Sequence, residues 1–552
     1  MYVVMISTAG NQRYIFSSGK RQEIAGASDL IARVDGTWAE QALEKVFPGF
    51  AREVWRIGGH DAELLVAGAG GITMLVGERG AGRRLVTELT RRALEDAPGL
   101  DVCGVVVEHA GGSLDAVIRE ARTELAAVRE SRPGPQARFP RLPPIEDCAT
   151  SGLPAAGTYR EAEGEPVRPR SAVALAKLNA YPDALRRLAE DAGTDRSTMR
   201  GIVDRLGLEA EWVAVVHADG NGLGELFRSL GDQVAAGDDR GYADVLRNFS
   251  LGVDGCARKA FREALRRTAA EPGMKTYGGL PPVLPLVLGG DDLTVVCEGT
   301  VALPFTRHYL EAFEQETARE PLLRQALANA GRARLDAAAG VAIVKRNYPF
   351  HFAYSLAEQL IEAEAKQVKE WGSALAFTVL FESSAPDLAR IRRSVPLSGG
   401  SADTASPYLV GEGAGDVRVR GRRWEDLVRR AAALERRDPR SGEPLIPRSA
   451  VHDLREGLCV GEEVAASRFE LLRHRFGGDP EREAALMDLT EEQDGLLWRD
   501  RDGRWGNREA NDDARINRDM GDGSRERRGR VLTGLFDAVA ALPFLPVREG
   551  GR

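Results

Sequence analysis

Cysteine, excess basic charge and long apolar runs are all scarce in this sequence, and each scarcity removes a class of protein. Five cysteines occur in 552 residues, Cys103, Cys148, Cys256, Cys297 and Cys459. They lie far apart and form no C-x-x-C pair, so neither a zinc ribbon nor a disulfide framework is indicated. No apolar run approaches the roughly 20 residues that span a bilayer. The opening MYVVMISTAG has no basic segment and turns polar quickly, unlike a signal peptide. The expectation is a cytoplasmic protein with no membrane partner. The formal net charge is −8, so the chain lacks the basic footprint of a protein that binds nucleic acid through phosphates. Arginine clusters exist at Arg392-Arg393, Arg420, Arg422-Arg423 and Arg429-Arg430. Acids are interleaved with most of them, so they read as solvated helix faces.

The length calls for several domains. The first segment, 1–130, reads β-α-β-β-α-β: YVVMIST, the helix KRQEIAGASDLIARV, a hairpin in AELLVAGAGGITMLVG, a second helix and LDVCGVVVEH. That order is a ferredoxin-like unit. Residues 131–207 hold a Pro-rich connection and a helical stretch near 171–206. The order then repeats over 208–390, from EWVAVVHAD (211–219) through the hairpin VLPLVLGGDDLTVV to RLDAAAGVAIVK, a helix through Glu370 and SALAFTVLF. Two related domains explain this better than a solenoid period. The fold class expected is therefore α+β, two ferredoxin-like domains plus a helical C-terminal domain over 391–552. Within that last part the charge-dense stretch 499–530 reads as a mobile insertion, and VLTGLFDAVAALPFL as a segment that packs back on the tail.

Chemistry concentrates in the second copy. LPLVLGGDDLTVV puts Gly289, Gly290, Asp291 and Asp292 between two apolar runs. Adjacent carboxylates repel and a Gly pair weakens a strand, so a divalent metal is the natural compensation. Asp219 ends the preceding strand, and in a β-α-β-β unit that end lies beside the central hairpin. Carboxylates on neighbouring strands suit Mg2+ or Mn2+ and leave positions open for triphosphate oxygens. Gly220, Asn221, Gly222 and Gly224 follow Asp219, allowing close backbone approach and offering N–H groups to phosphate. Lys345, Lys366 and Lys369 supply cations, the last two at i, i+3 on one helix face, for the β- or γ-phosphate. A solvated type I′ turn and ordinary surface lysines are the rival readings. The first copy ends its strand in STAGNQ and its hairpin reads AGAGG, without acids, which makes it a structural partner or a platform for a second nucleotide. His60-Asp61 and His452-Asp453 lack the surroundings of a metal phosphohydrolase.

VVHADGNGLGELF, LPLVLGGDDLTVV and AGVAIVKRNYPF together resemble the second palm domain of the large subunit of type III CRISPR effector complexes and its stand-alone relatives. The wider class is the palm domains of polymerases and nucleotide cyclases. The resemblance is strong over 205–385 and weaker over 1–110, where YIFSSGKRQEIAGASDLIARV looks like the first palm. It implies a nucleotidyltransferase that joins ATP into cyclic oligoadenylate, with Mg2+ or Mn2+ held by palm carboxylates. By position, Asp219 matches the first-strand ligand, Asp291 and Asp292 the acidic pair, and Gly289 and Gly290 the residues that admit substrate. The sequence shows no HD nuclease domain before the first palm, and one cysteine, Cys148, in the usual zinc region. Those departures suit a shorter independent synthase in antiphage defence. The partners implied are ATP or another NTP, an effector protein that responds to the product, and an RNA-guided complex, with a homodimer left open. The alternatives are a non-catalytic nucleotide-binding palm subunit of an RNA-guided CRISPR effector complex and a GTP-preferring dinucleotide cyclase.

Overall fold

A computed structural model describes residues 1–161, 164–235, 237–381, 387–393, 402–411, 421–491, 495–499 and 531–546. The first segment forms β1 (Tyr2–Ala9), α1 (Asn11–Ile15), α2 (Arg21–Asp35), α3 (Thr37–Val46), β2 (Ala62–Gly68), β3 (Gly71–Val76), α4 (Arg79–Asp96), β4 (Asp101–Glu108) and α5 (Leu114–Ser131). Its four strands are antiparallel in the order β2-β3-β1-β4. That order is the ferredoxin-like one the alternating runs imply. A short ribbon follows, β5 (Gly157–Tyr159) with β6 (Arg168–Arg170), and then the helices α6 (Ala172–Ala192) and α7 (Arg196–Leu208).

The second segment comprises β7 (Trp212–Gly220), α8 (Leu223–Ser229), α9 (Asp239–Ala269), β8 (Val283–Gly289), β9 (Asp292–Glu298), α10 (Gly299–Arg319), α11 (Pro321–Asn329), β10 (Ala337–Lys345), α12 (Phe350–Ala363) and β11 (Ala374–Val379). Its sheet runs β11-β10-β7-β9-β8, repeating the first order and extending it. β8 sits at the edge, where Pro285 costs no ladder donor, and the register shifts between Pro285 and Val287. In β10 every residue but the last is buried, because helices cover both faces. Such a strand reads as one apolar run rather than an alternation.

The two palms pack against each other. Phe16 stacks 6.3 Å from Phe350 and 5.4 Å from Tyr354, and Arg21 lies 4.1 Å over the Phe350 ring. The tip of the first hairpin also meets the second: a Cβ on Gly289 would lie 3.4 Å from Ala69 N. The first copy thus faces the second, and shared apolar surface holds them.

The C-terminal part contains α13 (Leu388–Arg393), α14 (Trp424–Glu435), α15 (Arg448–Val460), α16 (Glu462–Phe476), α17 (Pro480–Met487) and α18 (Leu535–Ala541). It is mainly helical, with added strands. β12 (Ala402–Thr404), β14 (Trp498–Arg499) and β15 (Val531–Thr533) form a small sheet, and β13 (Tyr408–Leu409) pairs with β11 of the palm. Phe544 reaches Trp212, with ring centroids 5.5 Å apart, so the last apolar stretch packs on the palm as well as on the tail. The charged stretch 499–530 lies outside the described residues apart from Arg499. The arginines expected on solvated faces need correction. Arg422 is buried, and Arg430 is fully buried, 3.0 Å from Glu491 and 4.9 Å over Trp498. Glu491, beside Arg430 in space and not in sequence, makes the burial of that guanidinium tolerable.

Candidate active site

The second hairpin closes through a two-residue turn, Gly290-Asp291, between the paired residues Gly289 and Asp292. Gly290 has φ +61°, whereas Asp291 is not left-handed. This is the φ pattern of a type II′ turn, which needs glycine at its first central position, and not of the type I′ turn. β7 runs alongside, its last recorded pair with β9 being Ala218 and Leu293. Asp219 and Asp292 come next in line. A Cβ on Gly220 would lie 2.9 Å from the Asp291 Cβ, so the end of β7 and the turn are in contact. The three aspartates do meet.

Their electrostatics reflect the crowding. Burial pushes the Asp291 carboxyl up to about 7, with help from Asp292 and Asp219. Burial likewise pushes Asp292 up to about 7, and the Asp219 charge and a hydrogen bond with it add to the shift. Lys366 offsets the cluster: its Nζ stands 2.5 Å from Asp219 Oδ2 and 2.6 Å from Glu362 Oε1. Burial pulls the Lys366 ammonium down, but its bonds to Asp219 and Glu362 outweigh that, and the net shift is upward.

Hard oxygen donors in a half-buried, charge-excess cluster fit a divalent cation in type and sign. The set is nonetheless not a finished cage. Among the described residues no group of three His, Cys, Asp or Glu side chains is arranged to hold a metal ion. Asp219 is committed to Lys366 instead, which a sequence cannot display.

The remaining sequence-predicted residues divide. Gly224 and Gly290 have open space where a Cβ would stand, so a ligand has room there. Gly222 takes a left-handed conformation before α8, and a Cβ on it would meet Arg332 Nη2 at 2.8 Å. Asn221 turns inward: it is buried, its Nδ2 donates to Gly372 O at 3.4 Å, and its Oδ1 has no partner. It fixes the loop instead of offering itself to a ligand.

Lys345 does not join the site. It pairs with Trp212 at the opposite end of β7, lies 3.8 Å from that ring centroid, and bonds Glu211 at 2.7 Å. Antiparallel pairing explains this, because the end of β10 lies beside the start of β7. Lys366 and Lys369 do not share a helix face either. α12 stops at Ala363, and Lys366 belongs to a 3-10 turn, Ala365–Val368. Glu364 is drawn out of helical geometry by Arg392 at 2.7 Å and Ser406 at 2.6 Å.

Sequence reasoning missed Arg332, Glu362 and a half-buried His217–Tyr354 contact of 3.4 Å. Arg332 Nη1 donates to Asn221 O at 2.9 Å, placing a cation over the glycine loop. Burial pulls the His217 imidazole down from its ordinary value, against the opposing pull of its bond to Leu293 O and the nearby Asp219 charge. His60 stacks on Trp55, and Asp453 pairs with Arg468. Two surface cavities of about 370 and 390 Å³ lie elsewhere, one beside Lys45 and Arg84 and one beside Lys345.

No curated protein matches this chain. Among solved structures it is similar to the apo Csm1–Csm4 cassette, at 12% identity and TM-score 0.45 over 98% of this chain and 70% of that one. The cassette with cA4 matches at 11% identity and TM-score 0.42 over 87% and 63%. A further one, with pppApApA, matches at 10% identity and TM-score 0.39 over 68% and 53%. The chain thus spans between half and two thirds of the length of the last two. The family model for the second palm domain of Cas10/Cmr2 matches residues 212–373, the span that carries β7, the GGDD turn and Lys366. That span of the chain is similar to the second palm domain of Cas10/Cmr2.

Proposed function

We propose that this protein is a metal-dependent nucleotidyltransferase of the palm cyclase class. It would join ATP, or another nucleoside triphosphate, into a cyclic oligonucleotide or dinucleotide messenger, in antiphage defence. The observation that carries this reading is the contact of Gly220 with Asp291, which brings Asp219 to the turn beside open space at Gly290. Asp219, Asp291 and Asp292 are the residues that would hold Mg2+ or Mn2+. When bound, the ion supplies charge neutralisation at the reacting phosphate and a more acidic attacking hydroxyl. The chain's own groups do the rest. Gly290 and Gly224 leave room for the triphosphate, while Lys366 and Arg332 present cations to its oxygens. Gly289 keeps the turn flush against the first palm.

Incubating the purified protein with each labelled NTP and Mg2+ or Mn2+, then resolving the products, tests the reading. A cyclic product is expected, and which base is consumed separates the ATP from the GTP form. One observation favours a second reading, a non-catalytic nucleotide-binding subunit of an RNA-guided complex: Asp219 is already neutralised by Lys366. No turnover, together with copurifying RNA, is what that reading requires.

The two lysines give a sharper check. Lys366→Met is expected to raise the nucleotide KM about tenfold or more, since one charge-assisted bond is worth about 1.5–3 kcal/mol. Lys345→Met, at the far end of the sheet, is expected to leave KM unchanged. Steady-state kinetics on both variants decide; equal effects would remove Lys366 from the site.

A further inference from the structure

Three backbone groups along the edge strand that ends in the GGDD turn are gripped by side chains from outside the hairpin. Ser28 Oγ of α2 donates to Leu286 O. Arg258 Nη2 of α9 donates to Leu288 O at 3.2 Å, and Gly290 N donates to Asp254 Oδ1 at 3.2 Å. In a two-residue hairpin the N–H of the first turn residue has no ladder partner. Buried or half-buried, it must find another acceptor, and Asp254 is that acceptor.

Asp254 is itself held. Arg258, one turn along α9, bonds it at 3.0 Å and bridges to Asp191 of α6 at 2.7 Å. Asp191 bonds Arg187 at 3.1 Å, and Arg187 Nη2 donates to Ser28 Oγ at 2.7 Å. The chain of contacts therefore starts on α2 of the first palm and ends on the amide next to Asp291. The first palm carries a related bond on its own hairpin, where Asp35 accepts from the N–H of Gly70, the second turn residue, at 2.9 Å.

We propose that Asp254 is a positioning residue for the Gly290-Asp291 turn, and that the Arg258–Asp191–Arg187 series ties that turn to the first palm. Asp254 accepts one hydrogen bond from the Gly290 amide and touches no reacting atom. It fixes where the Asp291 carboxylate stands, and a shift of the first palm relative to α9 is felt at the turn. The inference rests on the nucleotidyltransferase reading for its kinetic consequence, but not for its structural one.

Full-length Asp254→Ala, Asp254→Asn and Arg187→Met test it by product formation and by hydrogen exchange over residues 284–296. Asp254→Ala is expected to lower kcat roughly ten- to a hundredfold, as loss of a supporting partner around a site does. Nucleotide KM should hold, and exchange in that segment should quicken. Asp254→Asn keeps an acceptor for the Gly290 amide and is expected to recover most of kcat. Arg187→Met, remote from the turn, should quicken exchange in the same segment. Wild-type kcat and exchange in Asp254→Ala, a loss confined to KM, or no rescue by Asn would each overturn the assignment. Unchanged exchange in Arg187→Met would sever the link to the first palm. If the wild-type protein makes no product from any nucleotide, the enzymatic reading falls, while exchange still decides whether Asp254 holds the turn.

Discussion

Asp291→Ala combined with Asp292→Ala is expected to abolish product formation and at the same time to raise the melting temperature of the metal-free protein. The first effect follows from removing both turn carboxylates, where deleting even one preorganised charge contact costs on the order of a hundredfold. The second follows from crowding. Both carboxyls are pushed up to about 7, first by burial and then by neighbouring carboxylates, so near neutral pH the folded state works against ionising them. Relief of about 1 kcal/mol corresponds to a rise of roughly 2–4 °C for a domain of this size. The pH dependence carries the same signature. A carboxyl with a folded pKa raised above its unfolded one stabilises the fold most below the unfolded pKa, near 4. That contribution is lost as pH rises through about 7. The metal-free wild type should therefore melt lower at pH 8 than at pH 5, and Asp291→Asn with Asp292→Asn should flatten the difference. Thermal melts across that range, run beside the product assay, check both halves. Normal product from the double alanine variant would end the assignment.

The legible parts of the fold and the site were those governed by short-range rules. Short apolar runs and turn residues mark the strands of both palms, and the two β-α-β-β-α-β orders give the same strand sequence in both sheets. Asp219 beside the GGDD turn was legible because topology places the end of the first strand next to the central hairpin. Lys345 and Lys366 went differently. Lys345 ends an apolar strand and Lys366 follows an amphipathic helix, but antiparallel pairing carries Lys345 to the wrong end of the sheet, while a helix break at Glu364 turns Lys366 back onto Asp219. That break depends on Arg392 and Ser406, which are distant in sequence, so the helical pattern runs through it unmarked. Arg332 and Asp254 were hidden for a related reason: each acts on a backbone group, the Asn221 carbonyl and the Gly290 amide. Nothing in residue type or spacing announces such a partner. The buried Arg430 belongs here too, since its acid, Glu491, lies far along the chain.

Gly220→Ala is expected to lose most of the activity through a single added methyl. The backbone at this position is not left-handed, so alanine meets no conformational penalty and the obstacle is space alone. Its Cβ would stand 2.2 Å from Leu223 Cδ1, 2.9 Å from Asp291 Cβ and 3.3 Å from Asp291 Oδ2. Leu223 is 2% exposed, so its side chain has little freedom to yield, and the turn must give way. Overpacking of this kind costs about 1–3 kcal/mol, which a domain with this much buried core survives. The site is less forgiving, because a misplacement of about 1 Å costs on the order of a hundredfold. Gly224→Ala is the matched control for stability, not for turnover, because Gly224 borders the space proposed for the triphosphate. It too adds one methyl to the loop, but nothing lies within 4 Å of its Cβ position. On an exposed helical residue, alanine is favoured over glycine by up to about 1 kcal/mol, so this variant should melt at or above the wild type. Thermal melts on the pair separate overpacking against Leu223 and Asp291 from a general disturbance of the loop, while product formation by Gly220→Ala reads the displacement of Asp291. Should Gly220→Ala turn over as fast as the wild type, the contact between β7 and the hairpin turn is not where the chemistry occurs.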